Sequence, residues 1–205
     1  MQVLVWLALQ SLNKWYLEDK VHLYFKNAQE WREWLHENHH SSLGVYLIFY
    51  RVDSDFASMR WEEAVQVALC YGWIDSTVKK IDEHRRRQMF TPRKEKSVWS
   101  KVNKNYIEKL IAENQMHESG LSIINIAKQN GSWESLDQVE ALMVPKDLEF
   151  AFLNNKDAFD NFNAFSKTYK KSYLYWLNQA KKTDTRRARI DEIVKLCELN
   201  IKTRF

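Results

Sequence analysis

A chain that spreads four glycines and two prolines over 205 residues has few places at which it can turn tightly. Hairpin turns draw on glycine for positive φ and on proline for a preset φ. Their scarcity argues against a turn-rich sandwich or barrel, and equally against a disordered linker architecture. Most of the chain should therefore be helix. At 45% hydrophobic and 14% aromatic it carries enough apolar mass for a sizeable core, in one large domain or two small ones.

Against that helical background, Val45 to Tyr50, VYLIFY, is a continuous β-prone apolar run, the pattern of a central strand covered on both faces. Before it, Asn27 with Glu30 three residues on forms a helix-start signal, and Trp31, Trp34, Leu35 and Asn38 share one face of that helix. After it, Trp61, Ala64, Val65, Ala68 and Leu69 repeat at helical spacing until Gly72. Trp73–Ile81 and Arg85–Thr91 read as an antiparallel hairpin turning at Asp82, Glu83 and His84. Alternation alone pairs Ile81 with Arg85, Lys79 with Arg87, Thr77 with Met89 and Asp75 with Thr91 on one side, and sends Ile74, Val78 and Phe90 to the other. Everything after Ser97 reads as helix. In the helix that follows Ser100, Val102, Tyr106, Ile107, Leu110 and Ile111 line one side. The expected fold class is α+β, mainly helical: a small antiparallel sheet of about three strands covered by helices, followed by a C-terminal helical module. The expected layout is a loosely attached extension over residues 1–20, an α+β domain over 21–135 and a helical domain over 140–205, with the boundary in SWESLDQVEALMVP.

Net charge is only +4 but unevenly placed. From Ser76 to Lys109 there are eleven Lys/Arg against four Asp/Glu, and from Ser166 to Ile190 eight against one. Two such basic patches suit an anionic partner, although basic runs are more often solvated faces. Cys70 and Cys197 lie far apart in helical segments and read as buried core thiols rather than a disulfide. The apolar run Val3–Leu9 has no preceding basic residue and no cleavage site after it, and it is too short to span a bilayer. The expected compartment is the cytoplasm, with no membrane contact.

The stretch from Cys70 to Asn103, CYGWIDSTVKKIDEHRRRQMFTPRKEKSVWSKVN, concentrates the chemistry. Together with the later GSW and VPKDL, its CYGWIDS, arginine run and FTPRKEKSVWSKVN resemble the YdeI/OmpD-associated family, the bacteriocin-protection group. The resemblance runs from about Phe25 to the end and includes YLYWLNQAKKTDTRRARIDEIVKL. It implies a soluble bacterial protein. It brings no established reaction, and a protective role taken from a name would be analogy only.

From the residues themselves, the leading expectation is a binding module whose basic-aromatic hairpin meets an acidic ligand. The expected contacts are Trp73, Asp75, Lys79, Arg85, Arg87, Thr91, Arg93, Ser97, Trp99, Ser100 and Asn103. Lys79 opposite Arg87 is repulsive unless an anion or an acid lies between them. Arg93 is expected to reach Asp75 across the hairpin and still offer donors to the anion. The ligand is an acidic small molecule or an acidic protein surface; nucleic acid is a weaker candidate, without sequence specificity. One alternative is an enzyme of unknown class with a polar pocket of Asp75, Arg93, Ser97 and Asn103. Another is a helical protein-interaction domain around Lys167–Arg189. The histidines have no metal-ligand spacing and no phosphate loop or nucleophile elbow is present, so neither metal nor cofactor is expected.

Overall fold

The structure is a computed structural model and describes residues 20–204, so all but Lys20 of the expected N-terminal extension lies outside the described residues. The chain divides into two compact units, Met1–Ser97 with Val102–Ser132, and Val98–Lys101 with Trp133–Phe205.

In the first unit β1 (His22–Tyr24) runs parallel to β2 (Val45–Tyr50). Parallel neighbours need a crossover, and α1 (Ala28–Asn38) supplies it. Asn27 starts α1 as its sequence signal predicts. Its Oδ1 accepts the Glu30 amide at 3.0 Å, while Glu30 Oε2 accepts the Lys26 amide at 2.8 Å. Next, α2 (Trp61–Cys70) buries the predicted stripe of Ala64, Val65, Ala68 and Leu69. Gly72 turns the chain at φ +76°, a conformation other residues adopt only at a cost. It leads into the hairpin of β3 (Trp73–Lys80) and β4 (Arg85–Pro92). The sheet order is β1-β2-β4-β3, with β2–β4 and β3–β4 antiparallel. The sheet therefore has four strands rather than about three, and one pair is parallel. Three residues of β1 are too few to carry a period, so the sequence pattern does not reveal it.

The hairpin register departs from simple alternation in one place. Lys79 pairs with Arg87 as expected, but Val78 pairs with Gln88 and Asp75 with Phe90, leaving Ser76 and Thr77 opposite Met89 alone. This is a β-bulge, and one extra residue reverses every facing beyond it. Asp75 therefore shares a face with Phe90 rather than with Thr91, and Ile74 takes the place beside Thr91. Val78, expected in the core, is 49% exposed.

Helices α1 and α2 cover the face that carries Val45, Leu47, Phe49, Trp73 and Phe90, all buried. Trp31 of α1 lies at its centre, with ring centroids 5.4 Å from Trp34, 6.3 Å from Trp73 and 5.7 Å from Phe90. Two further helices, α3 (Lys101–Ala112) and α4 (Glu118–Gln129), follow. In α3 the buried side narrows to Ile107 and Leu110; Val102 and Ile111, expected beside them, are 53% and 47% exposed. The start of α4 sits directly on the end of α2, where the His117 amide donates to Cys70 O at 3.1 Å and Ser119 Oγ to Tyr71 O at 3.1 Å.

The second unit is helical: α5 (Asp137–Glu140), α6 (Lys146–Leu153), α7 (Lys156–Ala164), α8 (Lys167–Asn178) and α9 (Thr183–Glu198). Its core of Leu148, Phe152, Phe162, Tyr173, Leu177 and Ile193 is its own. Asn155 caps α7 by accepting the Ala158 amide at 3.0 Å.

Of the glycines Gly120 leaves the least room, since an added Cβ would lie 2.2 Å from Cys70 O. Gly120→Ala should therefore cost about 1–3 kcal/mol in chemical denaturation, the usual range for overpacking. Ser122→Ala, on the exposed side of the same helix, should change stability by less than about 0.5 kcal/mol.

Candidate functional site

The bulge sorts the hairpin's charges onto two faces. On the face away from α1 and α2 stand Lys79, Arg85, Arg87 and Thr91 of the expected contacts. Here the Lys79–Arg87 repulsion is offset locally. Arg87 lies over the Tyr46 ring at 4.7 Å and donates to His22 Nε2 at 2.5 Å, and His22 itself stacks on Tyr46 with centroids 5.0 Å apart. Burial, and then the Arg87 charge, hold the His22 imidazole below its usual value, which keeps Nε2 an acceptor. Arg85 is bound to Asp82 at 2.6 Å, and that contact holds the Asp82 carboxyl below the ordinary range. One arginine is thus stacked and one paired.

The other expected residues lie on several different elements. Trp73 is core, its indole donating to His39 O at 3.2 Å. Asp75, on the covered face, accepts from Trp61 Nε1 at 3.0 Å and from Gln88 Nε2, both on Oδ2. Arg93 is 7% exposed, and burial lowers its pKa to about 10 against the opposing pull of Asp75. Asp75's own hydrogen bonds nevertheless go to Trp61 and Gln88, so the direct Arg93–Asp75 contact expected from the sequence is replaced by longer-range attraction. Ser97 holds a turn, its Oγ accepting the Lys94 amide at 3.1 Å. Asn103 lies on α3. Trp99 and Ser100 belong to the second unit, with Trp99 buried against Trp133 at 5.0 Å. The enzyme pocket of Asp75, Arg93, Ser97 and Asn103 thus has its acid held by two neutral donors and its hydroxyl engaged in a turn.

A cleft of about 710 Å³ opens where β2 ends and α2 begins, lined by Phe49, Tyr50, Arg51, Met59, Arg60, Trp61, Glu62 and Arg86. Register explains its content. Phe49 pairs with Arg86, so both project from the covered face, and the guanidinium lies 5.6 Å over the phenyl ring. Trp61, first residue of α2, is fixed by its bond to Asp75, which leaves its ring as an apolar wall. Arg51 is bound to Asp53 at 3.0 Å, whereas neither Arg60 nor Arg86 forms an ion pair among the described residues. A neighbouring cavity of about 490 Å³ includes Tyr50, Asp53, Asp82 and Arg85. Sequence reasoning chose Arg85 and Arg87 and passed over Arg86. The clue was parity: Arg86 is an even number of residues from Phe90, which marks the covered face.

In the second unit much of the basic run is engaged. Lys171 pairs with Glu140 and Arg186 with Asp147. Arg189 lies 4.9 Å over Trp176 and Arg204 4.0 Å over the same ring. Both cysteines are free and buried, and burial pushes the Cys70 thiol up and that of Cys197 up to about 12. Among the described residues no group of three or more His, Cys, Asp or Glu is placed to hold a metal ion, and no helix is long and apolar enough to cross a membrane.

Asp75 is the joint of the cleft wall. Asp75→Asn should cost about 1.5–3 kcal/mol, the range for hydrogen bonds to a charged group. Combined with Trp61→Phe, it should cost clearly less than the two single losses added together, as read by a double-mutant cycle in urea. Strict additivity would show that Trp61 is held by packing alone.

Residues 141–200 match the family model described as bacteriocin-protection, YdeI or OmpD-associated, which supports the resemblance over the helical second unit. Residues 23–123, which include the motif block Cys70–Asn103, match a separate family model described only as a domain of unknown function. No curated protein and no solved structure matches the chain.

Proposed function

We propose that this chain, whose C-terminal unit carries a YdeI/OmpD-associated module, is a binding protein. Its α+β unit takes a small anionic ligand with a flat apolar body into the cleft between β2 and α2. One observation carries the reading. Arg86 is held over Phe49 at the edge of a cleft of about 710 Å³ and forms no ion pair among the described residues. Stacking orients a guanidinium without consuming its in-plane donors, and those donors suit a carboxylate or phosphate. Arg60 adds a second cation to the lining, while Phe49, Met59 and Trp61 offer apolar area for the body of the ligand.

Glu62 in the same lining and the Arg51–Asp53 pair limit the net positive charge, which favours a ligand of one or two negative charges over a polyanion. This also sets nucleic acid lower, since a backbone track needs several uncompensated cations in series. Relative to the contacts expected from the sequence, the binding surface moves from the Arg85/Arg87 face of the hairpin to the Arg86 face.

The test is calorimetric titration of the full chain with 1-naphthyl phosphate at low salt, with inorganic phosphate as the comparison. Binding should be saturable and tighter for the naphthyl ester. Arg86→Gln should weaken it by about tenfold or more, the loss expected for one charge-assisted contact, and Arg87→Gln, on the opposite face, should leave it within about twofold. No saturable binding, or equal loss in both variants, overturns the reading.

A further inference from the structure

Four of the six histidines, scattered through the sequence, converge in space. His36 of α1, His39 at its C-terminal cap and His117 at the head of α4 surround the buried Tyr71 ring. His117 stacks on Tyr71 with centroids 4.8 Å apart, His39 lies 4.8 Å and His36 6.0 Å from His117, and His40 packs edge-on to His39 at 5.5 Å. His117 also does backbone work: its Nδ1 accepts the Ser119 amide at 3.2 Å, capping α4, with the Ser119 hydroxyl 2.9 Å away and shared with Tyr71 O, and its own amide is bound to Cys70 O. That cap needs a bare Nδ1, which imidazolium lacks. The clustering places the side-chain acceptor that starts α4 beside two further imidazoles.

We infer that His117, with His36 and His39, forms a proton-operated latch that keeps the N-terminus of α4 seated on the end of α2 and lets it go on acidification. Burial and the cationic groups facing His117 resist its protonation. From α1 come His36 and His39, and Arg32, whose guanidinium lies 6.0 Å over Tyr71 and bonds Cys70 Sγ at 3.4 Å. From the end of α2 come Cys70 and Tyr71, whose neutral side chains bury His117, and the α4 amides present the positive end of a helix dipole. Of the charged side chains Glu118 pulls the other way, as do the α2 C-terminus and the Tyr71 ring face. Burial first, then His39 and His36, lower the His117 pKa in agreement with this geometry. The sign follows: a base whose folded pKa is depressed contributes stability that is full above its free value near 6.5 and is lost as pH falls through the lowered folded value.

Hydrogen exchange on the full chain between about pH 7 and pH 5, corrected for intrinsic rates, reads the latch directly. Protection of the Ser119 and Leu121 amides should fall by about tenfold relative to the β2 amides, and His117→Asn, which keeps a capping acceptor without titrating, should abolish the fall. The paired variant His36→Gln/His39→Gln removes the neighbouring charges. It should move the midpoint of release to higher pH, by about half a unit or more. A loss of protection shared equally by β2, an undiminished loss in His117→Asn, or an unmoved midpoint in the paired variant overturns the inference. The paired variant decides alone if His117→Asn does not fold.

Discussion

Trp31 is the interaction on which the α+β unit depends. It is fully buried, so its indole N–H must find an acceptor, and it donates to Ala64 O in α2 at 3.1 Å. That single bond fixes the rotation of α1 against α2. The ring then meets Trp34, Trp73 and Phe90, so the same side chain that joins the two helices also seats them on β3 and β4. Burying an indole of this size contributes on the order of several kcal/mol, more than any exposed ion pair of the hairpin can. The root of the hairpin is therefore rigid, and the charged residues towards its turn are displayed from a fixed base.

What the sequence disclosed follows the range of the forces involved. The Asn27–Glu30 cap, the VYLIFY strand and the α2 stripe are local patterns, and each is found where the spacing places it. The family resemblance is supported over residues 141–200, where VPKDL and the last helices lie, while the Cys70–Asn103 motifs fall in the separate match of residues 23–123. The bulge at Ser76–Thr77 was not legible, because two serine-like residues in an exposed strand leave no hydrophobic mark of the extra position. With it went the facing of Asp75, and hence the contact with Arg93. Arg86 was overlooked for the same reason in reverse: in a run of three arginines only register tells which one turns towards Phe49. The histidine cluster joins His36 to His117 across most of the unit, a distance at which sequence spacing holds no information.

The helical unit shows a second way of handling surplus positive charge. Its basic run is partly paired with acids from α5 and α6, at Glu140 and Asp147, and partly stacked on Trp176. Arg189 also donates to Trp176 O near the C-terminal end of α8, where a cation is favoured by the helix dipole. A count of +7 along the sequence therefore overstates the field this unit presents.

The bulge gives the hairpin something like a reading frame. On a regular strand the loss or gain of one residue turns everything beyond it to the other face. Here the two-against-one count opposite Met89 already holds one extra residue, so excising either Ser76 or Thr77 would leave a regular ladder with Asp75 still opposite Phe90. Straightening the bulge with both residues kept would instead turn Asp75 away from Trp61 and Gln88 to the outer face, and Ile74 would take its place. Substitution at Ser76 or Thr77 that keeps the bulge is a minor event on an exposed strand, whereas regularising the strand rewrites which side chains the first unit encloses. In this stretch, the shape of the backbone is constrained more tightly than the identity of the residues that form it.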